Sequence, residues 1–152
     1  MIETQRAGDF SKVELNEAPI ERSWIVEGAP RARNAVIGAS KDRSTTTILW
    51  ECSEGRFNWH YDFDEAIYFL EGSVTIMRPG EAERSYGPGD WIHFSVGDSA
   101  LWTVKGVIRK VAFCRQPPPK PVAAALRAYR GVRRRVQAFA KGAPSAPSLM
   151  GA

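Results

Sequence analysis

Residues 55–97 read GRFNWHYDFDEAIYFLEGSVTIMRPGEAERSYGPGDWIHFSVG, and the alternation within them decides the fold. Phe57, Trp59, Tyr61 and Phe63 are aromatic, while Asn58, His60, Asp62 and Asp64 between them are polar. Successive side chains of a strand point to opposite faces, so the aromatic set is expected to face an interior and the polar set solvent. Glu54-Gly55, Glu71-Gly72, Pro79-Gly80 and Gly87-Pro88-Gly89-Asp90 punctuate the strands with residues that turn tightly or tolerate positive φ.

Outward from this stretch the same grammar continues. Between Trp24 and Cys114 the runs WIVEG, TTTILWEC, RFNWHY, AIYFL, SVTIMR, RSY, WIHF, LWTVK and VIRKVAFC are β-branched and aromatic, which predicts nine short strands. No helical period of useful length precedes residue 120. The fold class expected is therefore all-β, a single antiparallel barrel or jelly roll over residues 23–116. Residues 1–22 are polar and are expected to form an arm over the barrel or across a partner, because nothing in them demands burial.

Pro117, Pro118, Pro119 and Pro121 predict a stiff linker over 117–121 that ends the last strand, since proline lacks the N–H a ladder needs. A basic amphipathic helix is predicted over 122–141. Val122, Leu126, Tyr129, Val132, Val136 and Phe139 recur at helical spacing, with Arg127, Arg130, Arg134 and Lys141 on the remaining surface. Residues 142–152 read as a disordered tail.

The 152 residues, 43% of them apolar and 11% aromatic, suffice for one core without disulfides or metals. No 18-residue apolar run exists, and the N-terminal residues lack a basic start followed by an apolar stretch. Neither a membrane span nor a secretory signal is expected, and the location expected is cytoplasmic. Cys52 and Cys114 each sit inside a strand-like run, which fits buried reduced thiols. The net charge of +4 is unevenly divided. Residues 1–114 hold 13 basic and 17 acidic side chains, and residues 115–152 hold 8 basic and none acidic. The basic balance belongs to the C-terminal segment, which excludes a nucleic-acid reading based on the charge of the whole chain.

GRFNWHYDFDEAIYFLEGSVTI followed by YGPGDWIHFSVGDSALWTV resembles the paired motifs of the cupin superfamily, and more narrowly the branch grouped with the ureidoglycine aminohydrolase cupin domain. The resemblance covers about residues 45–115 and rests on Gly55, Tyr61, Glu65 with its seven-residue step to Gly72, Pro88-Gly89-Asp90, and Gly97 before Trp102. It implies a homodimer. In metal-binding members the pattern seats two histidines, a glutamate and a further histidine. Those seats fall here on Trp59, Tyr61, Glu65 and Ala100, and one carboxylate does not hold a transition metal that wants three or four donors. A second register places Asn58 and His60 beside Glu65. It requires a bulge to turn His60 inward, and it leaves open a metal-dependent aminohydrolase-like protein with unusual ligands.

The favoured register predicts a ligand site lined by Phe57, Trp59, Tyr61, Glu65, Trp91 and Trp102, an aromatic box with one acid. Such a box stacks a planar or small polar metabolite, with no metal and no cofactor. The plain alternative is that these rings fill a narrow barrel. Glu65 and Tyr61 are the candidate acid–base pair of a non-redox hydrolase, isomerase or lyase, because an unpaired carboxyl between rings is costly to ionise. A structural Glu65 paired with an arginine such as Arg109 is the competing expectation. His60 and His93 are expected at the surface. The apolar stripe of the basic helix could pack on its own barrel, on a second subunit or on an anionic membrane surface. No nucleic-acid partner is expected.

Overall fold

The structure, a computed structural model, describes residues 7–142. The chain divides into two compact units, Met1–Pro117 and Pro118–Ala152. Among the described residues eight antiparallel strands build the first: β1 (Asn16–Glu17), β2 (Ile25–Glu27), β3 (Ala32–Ala39), β4 (Thr45–His60), β5 (Asp64–Met77), β6 (Arg84–Tyr86), β7 (Trp91–Phe94) and β8 (Ser99–Arg115). They hydrogen-bond in the order β1-β3-β4-β8-β5-β6, with β2 also on β4 and β7 also on β5.

Eight strands replace the nine expected, and the difference has a physical cause. TTTILWEC and RFNWHY are one strand, as are AIYFL with SVTIM and LWTVK with VIRKVAFC. Glu54-Gly55 and Glu71-Gly72 do not end strands; the register shifts at Ser53/Gly55 and at Phe69/Glu71 and Gly72/Val74, so these glycines bend a ladder that runs on. The bends let the three long strands curl around one core. β3 was absent from the expectation because ARNAVIGA has few β-branched or aromatic residues. It is held by pairing with β4 from Ala32↔Cys52 to Ala39↔Thr46.

The core is aromatic. Phe57, Phe69 and Phe94 are fully buried, and Trp102 is 2% exposed. Phe57 stacks on Trp102 with ring centroids 6.2 Å apart, and Tyr61 stacks on Phe94 at 4.1 Å. The parity predicted for β4 holds: Phe57 and Tyr61 are buried and Trp59 half-buried, while Asn58 and His60 are exposed.

The described part of the N-terminal segment lies on its own barrel, one of the two placements expected for it. Ile20 is buried in the core cluster, Asn16 and Glu17 pair with β3, and the Ala18 N–H donates to the Ala32 carbonyl at 2.9 Å. The segment is thus tied to its own barrel, since a single isoleucine with backbone pairing on either side is enough to anchor an otherwise polar stretch.

The second unit contains α1 (Lys120–Gly142). It begins at Lys120, so Pro121 belongs to its first turn and not to an extended linker; a proline there forfeits no helical hydrogen bond. The predicted tail lies outside the described residues apart from Gly142. No described helix is long and apolar enough to cross a membrane.

Candidate functional site

β8 carries the centre of the site. Along its second half Ile108, Lys110, Ala112 and Cys114 share one face by the two-residue period, and that face looks into the barrel. Three of these are small or apolar; the fourth is a lysine, 4% exposed. It is buried because Glu65, 3% exposed and near the start of β5, lies within reach across the barrel wall. The Lys110 Nζ donates to Glu65 Oε1 at 2.6 Å. The same nitrogen stands 4.9 Å from the ring centroids of both Trp50 and Trp102, so two indole faces share its charge. Glu65 and Lys110 are the two buried charged side chains of the described core.

The pair opens onto a cavity of about 290 Å³. Trp50, Trp59 and Phe63 form its aromatic wall, Ile48 and Ala112 its aliphatic one, and Ala18 and Pro19 of the N-terminal segment help line it. Asn34 and the Cys114 thiol complete the polar lining. Burial, then the negative charge of Glu65, pushes the Cys114 thiol up to about 12, so it is a neutral group at physiological pH.

Of the six predicted ligand-binding residues, Trp59 and Glu65 line this cavity. Phe57, Tyr61 and Trp102 lie in the adjoining core and not in its lining. The Tyr61 hydroxyl accepts the Trp102 indole N–H at 3.2 Å. Burial holds that phenol well above its usual pKa, and the charge of Glu65 adds to the effect. Trp91 is placed otherwise than expected. It is 72% exposed on β7, because the inward parity of that strand belongs to Ile92 and Phe94. It lines an outer-surface groove with Arg78, Arg84 and Tyr86. Trp91→Ala should therefore change unfolding free energy by less than about 0.5 kcal/mol in urea titration.

The partner of Glu65 also differs from expectation. Arg109 lies on the opposite parity of β8 and approaches Glu51 at 3.8 Å and Glu71 at 3.7 Å, so the inward lysine beside it takes the role. Lys110, Trp50 and Cys114 were missed as site residues. The signal for Lys110 was a charge in phase with Ile108, Ala112 and Cys114, but Val107, Val111 and Phe113 on the other phase are equally apolar and hide it.

The seats at which metal-binding relatives hold an ion do not fit one here. Trp59 and Ala100 offer no lone pair, the Tyr61 hydroxyl is engaged by Trp102, and Glu65 is already met by an ammonium. A divalent cation at Glu65 would also face the like charge of Lys110. His60 is exposed, its ring in edge-type contact with Trp24, and it does not line the cavity that Glu65 lines. Among the described residues no group of three or more His, Cys, Asp or Glu side chains gathers as a metal site.

Bent antiparallel strands around an aromatic core with a cavity in the barrel make a fold of the cupin type. More narrowly, residues 39–112 match the family of EutQ-like cupin domains, and that stretch is similar to this branch of the superfamily. Among solved structures it is similar to a protein of unknown function from Pseudomonas syringae pv. tomato, at 18% identity and TM-score 0.63, over 70% of this chain and 46% of that one. It is similar to the EutQ protein of Clostridium difficile, at 19% identity and TM-score 0.50, over 58% of this chain and 64% of that one. The cupin domain of Schizosaccharomyces pombe Cnp3 matches at 8% identity and TM-score 0.56, over 74% of this chain and 70% of that one. The chain thus spans about half the length of the first of these and under two thirds of the second. At these identities the likeness concerns the fold. No curated protein matches the chain.

Proposed function

We propose that this cupin binds a small polar or planar metabolite in the cavity beside Lys110 and Glu65. The supporting observation is a buried ion pair set in the wall of an aromatic-lined cavity of about 290 Å³, at the small end of the range that holds organic ligands. Burying two charges costs more than their attraction usually returns, so a fold that keeps them in a cavity wall has a use for their polarity. Trp50 and Trp59 supply apolar faces and Lys110 and Glu65 supply orientation, the division of labour of a small-molecule site.

The test is a ligand-observed NMR screen of small polar and planar metabolites against the full chain, repeated with Trp59→Ala. Loss of one aromatic face should weaken a true cavity ligand about tenfold. Compounds that bind the variant as well as the parent would remove the reading, as would a screen without hits.

A non-redox hydrolase, isomerase or lyase is the second reading. It is supported by a carboxylate in the cavity wall that could take up or release a proton, with Lys110 rather than Tyr61 as its neighbouring group. The likeness to the ureidoglycine aminohydrolase branch remains one of motif order, since the metal seats of such chemistry are Trp59, Tyr61 and Ala100 here.

A further inference from the structure

We propose that the cavity selects an uncharged, flat ligand through an edge that carries a hydrogen-bond acceptor beside a donor, the edge of a cyclic amide. This deepens the binding reading above and rests on it.

The reasoning starts from unfilled hydrogen-bonding capacity. A lysine ammonium has three N–H donors, and a carboxylate has two oxygens that accept. Lys110 gives one N–H to Glu65 Oε1; among the described residues its nitrogen makes no other hydrogen bond, and Glu65 Oε2 accepts none. Both side chains are more than nine-tenths buried, at 5% and 4% exposure. Buried polar groups are normally satisfied, so donors and an acceptor turned to a cavity mark where a bound molecule makes its polar contacts. The indole faces of Trp50 and Trp102 compensate part of the ammonium charge but accept no strong hydrogen bond.

Charge then chooses the class of ligand. Lys110 and Glu65 cancel, Asn34 is neutral and the Cys114 thiol stays protonated, so the polar lining carries no net charge. A carboxylate ligand could accept from Lys110, but its own charge would face Glu65 Oε2 with no proton between them. An alkylammonium would meet Lys110 in the same way. An amide edge satisfies both sides, its carbonyl accepting from Lys110 and its N–H donating to Glu65 Oε2. The aromatic wall limits the ligand's shape. Trp50 and Trp59 meet edge to face, with centroids 5.9 Å apart and planes at 75°, and offer ring surface to a thin molecule.

The probes are 2-pyridone, N-methyl-2-pyridone and benzoate, titrated into the full chain by NMR and calorimetry. 2-Pyridone presents the edge, the N-methyl compound lacks its donor, and benzoate is a flat carboxylate of similar size. 2-Pyridone should bind about tenfold or more tightly than either. The double variant Glu65→Leu/Lys110→Met keeps the cavity uncharged and should bring the three affinities within about twofold, which also guards against a single variant that fails to fold. If N-methyl-2-pyridone or benzoate binds as well as 2-pyridone, and Trp59→Ala weakens all three, the edge rule is overturned while cavity binding stands. If none of the three binds but another metabolite does, the edge rule again fails alone. If nothing binds at the cavity, both fail together.

Discussion

Lys110→Met alone should destabilise the β unit by about 3–5 kcal/mol, whereas adding Glu65→Leu to it should restore stability to the parent level or above. The asymmetry follows from burial. Glu65 is 3% exposed and takes a 2.6 Å hydrogen bond from Lys110, so deleting the lysine strands a carboxylate in the wall it shares with Trp50, Trp59 and Phe63. Glu65→Leu alone should cost a comparable amount, because it strands the ammonium in the same place. Removing both partners leaves two apolar side chains of similar volume in an apolar wall, and the desolvation of both charges is recovered. A double-mutant cycle in urea, with midpoints compared at constant slope, reads the coupling directly. If Lys110→Met costs under about 1 kcal/mol, the pair is reached by water and behaves as a surface ion pair. The same cycle bears on function, for a pair whose replacement stabilises the fold is held there for something other than stability.

The sequence made the barrel and one wall of its cavity legible, and hid the other wall. The alternation of Phe57, Trp59 and Tyr61 against Asn58 and His60 specifies which face of β4 turns inward, since a one-residue slip would expose three rings. Glu65 stood out because it keeps its step to Gly72 at the head of the apolar run AIYFL. Lys110 did not, because both phases of VIRKVAFC are apolar; one phase packs in the barrel, and on the other Val111 is buried while Phe113 is exposed. Two-sided strands lose the period that identifies an inward charge. Trp91 misled for the converse reason. WIHF offers large side chains on both phases, and only the register Glu65↔Phe94 and Tyr68↔Trp91 shows which one turns in. The strands that the expectation divided were divided at glycines, and a glycine that bends a strand looks the same in sequence as one that ends it.

Gly72→Ala should cost more than about 4 kcal/mol and Gly80→Ala only about 1–2 kcal/mol, although both glycines have left-handed backbone. Their φ values are +82° and +76°, so the conformational strain imposed by a side chain is nearly equal. Their surroundings differ. A Cβ at Gly80 meets nothing within 4 Å, whereas one at Gly72 would lie 1.8 Å from the Val107 carbonyl oxygen and 3.1 Å from the Ile108 Cα. Those atoms are backbone, so no rotamer change relieves the overlap and β8 must move away from β5. The movement falls where the two strands register Gly72↔Ile108, two residues before Lys110 on the same face. Displacing Ile108 carries Lys110 with it, so Gly72→Ala should also lower ligand affinity at the cavity, while Gly80→Ala should leave it intact. Urea unfolding and ligand titration of the two variants separate the contributions. Equal costs would mean that positive φ alone retains Gly72; a large difference in stability together with lost binding would tie the bend in β5 to the placement of the buried lysine.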